Sequence, residues 1–378
     1  MKIAMIGHKR VPSREGGVEV VVTELSTHMA AMGQDVVCYN RWEPSVQKDM
    51  PKKDEYQGVQ LRRVRTFERA SLNAIVYSFF ATLRAIFSRR YDVIHIHAEG
   101  PASMAVLTHL FRVPTVVTIH GLNWQCAKWG GFATRFLRFG EKMAARYADD
   151  LIVLSRGNAQ YFRDTYGRDS RLIPNGITVR PPAPPREIAE RWGLKKDGYV
   201  LFLARITPEK GLHHLLDAYQ TLNTRMPLVL AGPLTPQTDY IVKVCEQAAK
   251  DDRVLTTGFV SGTTFEELMS NAAVYVLPSD VEGMSISLLE ALSYGRRCLV
   301  SDIPENRDVA GSYARYFEKG NAQSLAGALG AMLCEPDDPQ AAEKRMQYVR
   351  DTFDWDAVTQ STIDVYQSAI EKRAGKGR

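Results

Sequence analysis

Ala273-Val-Tyr-Val-Leu-Pro278, followed after three residues by Glu282-Gly-Met-Ser-Ile-Ser-Leu-Leu-Glu290, decides how this chain is to be folded. The apolar run reads as a buried strand. Gly283 permits a sharp turn, and Ser285 to Leu292 reads as the opening turns of a helix. Strand, glycine turn and helix start together make an anion site, because the first amides of a helix have no intrahelical partner. A carboxylate at each end of such a site is odd if the ligand is a bare phosphate. It fits a ligand with hydroxyls on both sides of its phosphates, the layout of a nucleotide-sugar.

The same alternation runs outward from there. In the front half Lys2–Gly7, Asp35–Tyr39, Val59–Val64, Asp92–His97, Pro114–Ile119, Asp150–Leu154 and Arg171–Ile173 read as strands. Val18–Met32, Leu72–Ser88, Pro101–Phe111, Phe132–Tyr147 and Gly157–Tyr166 read as helices. In the back half Tyr199–Leu203, Pro227–Ala231, Val254–Thr256, Ala273–Leu277 and Arg297–Ser301 read as strands, with helices between them and a mostly helical stretch after residue 320. Strands alternating with helices predict parallel sheets. The prediction is two doubly wound domains, 1–178 and 198–352, with a proline-dense stiff linker at 179–197. A last helix and basic tail take up 353–378. Ligands are expected in the cleft between carboxyl ends of the two sheets.

Composition bounds the rest. The chain has 378 residues, 45% of them hydrophobic, enough for two cores. Its five cysteines are scattered, with no CxxC pair, which argues for a reducing compartment and against a zinc or disulfide framework. No secretory signal opens the sequence, and no stretch reaches about 18 apolar residues, so a cytoplasmic location is expected. The net charge of +5 is uneven. Residues 1–175 hold 25 Lys+Arg against 16 Asp+Glu, whereas residues 176–378 hold 23 against 27. A basic front half suits an anionic partner: lipid headgroups or a phosphate-bearing acceptor. Nucleic acid is not expected, since no RNP, KH or zinc-finger signature occurs.

Other constellations converge on one chemistry. The loop from Gly7 to Gly17 ends in Gly16 and Gly17 before a helix, so backbone can approach a ligand closely. Its spacing is not GxGxxG, and Tyr39-Asn40 stands where a dinucleotide site would carry a ribose-binding acid. A surface loop with a glycine bend is the plain alternative. Arg205 closes a strand and Lys210 follows at five residues, a fork and a mobile point charge suited to a diphosphate. Strand-end cations are also commonly just solvated. His120 closes the fifth front-half strand before Gly121, where it faces a cleft sooner than a core. His95 and His97 share a strand face and could suggest a metal pair, yet no third ligand with suitable spacing presents itself. Asp354-x-Asp356 sits at a helix start, where capping is the plainer role. His28, His213 and His214 fall within helix patterns and read as structural. Leu72–Arg90 is rich in Phe, Ile and Leu. It reads as core packing, or as contact with an anionic membrane helped by Arg62, Arg63, Arg65 and Arg69.

In this order the glycine loop, strand-end histidine, Arg/Lys pair and Glu-x7-Glu resemble the family-4 retaining glycosyltransferases of the two-domain GT-B fold. The wording of Gly7–Gly17 and of Lys128-Trp-Gly-Gly-Phe-Ala-Thr134 is similar to bacterial capsule and exopolysaccharide enzymes, rhamnosyltransferases among them. The resemblance implies retaining transfer of a sugar from a nucleotide-diphosphate sugar to an acceptor hydroxyl, without metal or cofactor. The acceptor would be a glycan or lipid-linked glycan, met in the cytoplasm or at the inner membrane face. It assigns His120, Arg205, Lys210 and Glu282 to catalysis, and Gly16, Gly17, Val260, Ser285, Ile286 and Glu290 to the donor. Within that reading Glu290 holds the ribose, Glu282 meets sugar hydroxyls, Arg205 and Lys210 hold the pyrophosphate, and Val260 meets the base. Glu99 is the front-half carboxylate to weigh as a covalent nucleophile. A nucleotide-sugar epimerase and a non-catalytic nucleotide-sugar-binding subunit are the alternatives. An NAD oxidoreductase ranks last.

Overall fold

The computed structural model describes residues 1–43, 54–66, 70–88, 90–125, 131–235 and 238–375, so Arg69 and Lys128 lie outside the described residues. The chain forms two compact units, one of residues 1–176 with 355–378 and the other of residues 177–354.

Unit 1 alternates β1 (Lys2–Ile6), α1 (Gly17–Ala31), β2 (Asp35–Trp42), β3 (Glu55–Tyr56), β4 (Val59–Arg65), α2 (Ala70–Ser88) and β5 (Val93–His97). It continues through α3 (Glu99–Ala102), α4 (Ala105–Leu110), β6 (Thr115–Ile119), α5 (Gly131–Tyr147), β7 (Asp150–Val153), α6 (Arg156–Tyr166) and β8 (Arg171–Leu172). The sheet order is β3-β4-β2-β1-β5-β6-β7-β8, parallel throughout except for the β3–β4 hairpin. That hairpin turns through Gln57 and Gly58, both at positive φ, and its two-residue first strand is too short for a periodicity argument. Pro101–Phe111 is not one helix: Ser103 and Met104 bond back to Gly100 and Pro101, a three-residue tightening that separates α3 from α4. The closing helix, 355–375, packs on this unit. Tyr366 bonds His95, and Lys372 and Arg373 pair with Asp150 and Asp149. Asp356 bonds His28 at 2.9 Å, so the Asp-x-Asp pattern here serves helix docking.

Unit 2 carries α7 (Glu187–Trp192), β9 (Val200–Leu203), a 3₁₀ turn at Pro208–Lys210, α8 (Leu212–Gln220), β10 (Leu228–Ala231), α9 (Asp239–Ala248) and β11 (Val254–Gly258). It goes on through α10 (Gly262–Asn271), β12 (Val274–Leu277), α11 (Ile286–Ser293), β13 (Cys298–Ser301), α12 (Pro304–Ala310), β14 (Arg315–Phe317), α13 (Ala322–Cys334) and α14 (Pro339–Thr352). The order is β11-β10-β9-β12-β13-β14, all parallel. Central strand residues such as Val200, Leu201, Val274 and Val276 are fully buried, each worth about 1.5–3 kcal/mol relative to exposure. Residues 179–197, expected as a stiff linker, are built into this unit. Ala183 bonds Ser270 and Asn271, and Glu267 accepts the Arg186 and Ile188 amides at 2.9 and 3.1 Å. Proline density fixed φ there without preventing packing.

Leaving aside the β3–β4 hairpin, each sheet reverses its order once, between β1 and β5 in unit 1 and between β9 and β12 in unit 2. At such switch points the loops leave in opposite directions and open a crevice at the carboxyl ends of the strands.

Candidate functional site

In unit 2 the loops leaving β9 and β12 are stitched together by backbone. The Asp280 amide donates to the Glu209 carbonyl at 2.8 Å, and Gly211 (φ +66°) passes so near Pro278 that an added Cβ would lie 1.9 Å from its carbonyl oxygen. Only glycine fits that approach. Across this seam Lys210 Nζ meets Glu282 Oε1 at 2.5 Å, and the Ser279 hydroxyl donates to the same oxygen at 2.6 Å. Both side chains of the ion pair are largely buried, at 14% and 6% exposure. Arg205, at the carboxyl end of β9, is exposed.

Ser285 caps α11, its hydroxyl accepting from the Leu288 amide, so the first-turn amides of Ile286 and Ser287 are the ones without intrahelical partners. The Tyr275 hydroxyl donates to Ser287 Oγ at 2.7 Å. Burial, and then the charges of Glu282 and Glu290 among others, push the Tyr275 phenol upward. Glu282, Glu290, Lys210, Ser285 and Ile286 are gathered at the unit 2 switch point, with Arg205 on its rim. Val260 lies beyond the end of β11, two strands from β9, before the start of α10.

One group at this edge escaped the sequence reading. His213, His214 and Asp280 offer ligand atoms all within 4.8 Å of one another, and His213 Nδ1 bonds the Tyr240 hydroxyl at 2.9 Å. Both histidines read as structural in the sequence, because Asp280 reaches them only through the fold.

In unit 1 the loop from Gly7 to Gly17 is held by Asn40, the residue standing in place of the ribose acid. Asn40 Oδ1 accepts the Val11 amide at 3.0 Å and pairs with His8 Nε2, while its Nδ2 donates to the Val11 carbonyl at 2.8 Å. Gly7 (φ +109°) lies against the end of β5, where an added Cβ would meet the His97 carbonyl oxygen at 2.1 Å. Gly16 is the N-cap of α1 and Gly17 its first residue, so both glycines sit at a helix start, as expected.

His120 stands at the end of β6, its Nε2 3.1 Å from His97 Nδ1. Desolvation pushes His120 down to about 4, and burial pushes His8 to about 4 and His95 to about 3. His97 is driven well below its usual range by burial and by its histidine neighbours. The cluster is neutral at pH 7, so His120 offers a hydrogen bond, not a charge. His95 spends both ring nitrogens, on Tyr366 and Thr118, which leaves the His95/His97 face no metal pair. Glu99 is not a nucleophile in waiting: it is fully buried, its two oxygens accept the Asn123 amide, and desolvation raises its carboxyl far above the usual range.

Comparison with known proteins agrees with this arrangement. The sequence model of Glycosyltransferase Family 4 matches residues 15–180, and that of Glycosyl transferases group 1 matches residues 186–350. The chain is 24% identical over 396 residues to an uncharacterized glycosyltransferase of Methanocaldococcus jannaschii, covering 98% of this chain and 99% of that one. Among solved structures it is similar to sucrose-phosphate synthase of Thermosynechococcus elongatus, with TM-score 0.82, 21% identity and coverage of 97% and 98% of the two chains. It is also similar to Anabaena HepE solved with UDP and glucose, with TM-score 0.79, 18% identity and coverage of 97% and 100%.

Proposed function

Because this chain belongs to the family-4 glycosyltransferases of the GT-B fold, we propose that the sugar it transfers comes from a nucleotide-diphosphate sugar and keeps its anomeric configuration. The observation that carries this reading is the Lys210–Glu282 pair at the β9/β12 switch point, with Glu290 on α11, the helix that follows β12. An ammonium has three donors, and Glu282 takes one, leaving Lys210 able to meet a diphosphate while the pair stays formed. Arg205 adds a planar fork from the rim. The Ile286 and Ser287 amides receive the terminal phosphate, Glu290 grips the ribose, Glu282 meets sugar hydroxyls, and Val260 meets the base. The similarity to a protein solved with UDP and glucose supports a nucleotide donor.

In the reaction the bond from the anomeric carbon to the donor phosphate breaks as the acceptor oxygen bonds that carbon from the same face. The acceptor proton passes to the departing phosphate oxygen, whose growing charge Arg205 and Lys210 stabilise. These two cations supply the charge that a metal ion would otherwise bring, so turnover is expected to be unchanged by EDTA, and its loss on chelation would overturn this part of the reading. Glu290→Ala and Arg205→Ala in a donor-consumption assay test the assignment, and wild-type-like turnover in both removes it. NMR of the product anomer tests retention.

The acceptor is read as a glycan or lipid-linked glycan at an anionic membrane surface. Among the described residues no helix is long and apolar enough to span a bilayer. Yet α2 exposes Phe79, Phe80 and Phe87 and the cap of α4 exposes Phe111, with Phe87 and Phe111 rings 5.5 Å apart and exposed Arg84, Arg90 and Arg112 nearby in sequence. Such a surface suits contact with acidic headgroups. Co-sedimentation with phosphatidylglycerol vesicles, lost in Phe80→Ser with Phe87→Ser, checks it.

A further inference from the structure

Where the exits of β9 and β12 meet, unit 2 brings two imidazoles and a carboxylate together. His213 and His214 lie in the first turn of α8, and Asp280 lies in the loop that leaves β12. Neighbouring residues of a helix ordinarily send their side chains apart. Here the two rings converge instead, with centroids 3.9 Å apart and planes tilted by 42°. One ligand atom from each of the three residues lies within 4.8 Å of the others, and all three residues are half-buried.

The bonding around these groups is unfinished. His214 Nε2 stands 3.5 Å from Asp280 Oδ2, too far for an ordinary N–H···O bond. That separation is instead what two ligands of one ion show, since donor atoms about 2.0–2.2 Å from a tetrahedral zinc lie about 3.3–3.5 Å apart. The Tyr240 hydroxyl holds His213 through Nδ1 at 2.9 Å, the kind of outer bond that orients a ligating imidazole and leaves Nε2 for the ion.

Glu209, on the 3₁₀ turn before α8, points the same way. It is 6% exposed, and among the described residues neither of its carboxylate oxygens has a hydrogen-bond partner. The neighbouring Lys210 is turned to Glu282. The Glu209 carbonyl receives the Asp280 amide at 2.8 Å. Burial, then the charges of Asp280 and Glu209, push the Tyr240 phenol up, so both acids lie beside the group that holds His213. A buried carboxylate without a counter-charge is costly, and a cation at the histidines would offset it.

We propose that His213, His214 and Asp280 bind one divalent cation of the zinc class, which clamps the exit of β12 to the start of α8. Two imidazoles select a late first-row ion over magnesium or calcium, which prefer oxygen ligands. Three protein ligands leave the fourth tetrahedral position to water. The ion takes no part in sugar transfer, and the site does not rest on that reading. Its effect is on stability: it ties together the two segments that carry Lys210 and Glu282.

The test uses the full chain, freed of metal by EDTA and dialysed into imidazole-free buffer. Titration with CoCl2 should give the ligand-field bands of four-coordinate cobalt at one equivalent, and ZnCl2 should abolish them. ZnCl2 should also raise the Tm of unit 2 without moving that of unit 1, whereas MgCl2 should do neither. His213→Gln and, separately, Asp280→Asn should weaken zinc binding by about 100-fold, and Tyr240→Phe, which acts only through His213, by about tenfold. His28→Gln, in unit 1, should leave it unchanged. Circular dichroism of the metal-free variants checks that they are folded, and His214→Gln replaces any that is not. Absence of the cobalt bands, or zinc affinity that survives both His213→Gln and Asp280→Asn, overturns the site. A chain that binds zinc here yet turns over no donor removes the transferase reading alone.

Discussion

The two switch points of this molecule occupy equivalent places in equivalent sheets, yet they are made of opposite materials. At β9/β12 the groups are charged and paired across a seam: Lys210 with Glu282, Glu290 close by, Arg205 on the rim. At β1/β5 the groups are desolvated and uncharged: His8, His95, His97 and His120 are pushed down and Glu99 is pushed up. A charged edge suits phosphates. A neutral edge with directed hydrogen bonds suits hydroxyl groups, which a field of fixed charges would discriminate poorly. The lesson is that one fold supplies the position, and burial decides what a position can recognise.

The contrast can be broken most severely where backbones touch. Gly7→Ala forces a Cβ to 2.1 Å from the His97 carbonyl at φ +109°, and Gly211→Ala does the same at Pro278. Each should cost about 4 kcal/mol or more, read as loss of soluble protein or a steep fall in Tm. Next in size, Lys210→Ala should lower kcat by about 10²–10³, since it removes charge stabilisation, and should lower Tm as well, since it leaves the Glu282 carboxylate buried without its counter-ion. Preserved turnover would show that the charged edge does not meet the leaving group.

Acid should separate the two units. The four histidines have depressed folded values, so their stability is present above about 6.5 and is lost as pH falls through about 4. For each buried ring the slope approaches ~1.4 kcal/mol per pH unit. Calorimetry between pH 7 and pH 4 should find the unit 1 transition falling faster than that of unit 2, with a shallower slope in His120→Asn. The smallest effect expected is from Asn40→Ala, which leaves the Val11 amide and carbonyl without their partner and should cost about 1–3 kcal/mol in unit 1 stability.

Much of this was legible in the chain. Periodicity revealed the strands because Val, Ile and Leu runs of parallel sheets are buried on both faces, as in Val274–Leu277. Glu282, Ser285 and Glu290 were legible because strand, turn and helix start are contiguous, so sequence distance equals spatial distance. What stayed hidden depends on contacts between distant segments. Nothing near Glu141 announces the Tyr161 and Tyr166 hydroxyls that it receives, and nothing near His214 announces Asp280, 3.5 Å away. The proline-dense stretch misled for a related reason: its stiffness is local, whereas the Glu267 carboxylate that receives its amides comes from α10.

The closing helix belongs to unit 1 although the whole of unit 2 is synthesised before it. On a ribosome adding about 5–20 residues per second, unit 1 must wait for its last piece while the inserted unit folds. During that interval His95 lacks Tyr366, and Asp149 and Asp150 lack Arg373 and Lys372. The nascent chain therefore completes its interior before its amino-terminal portion, and the earliest residues made are the last to be secured.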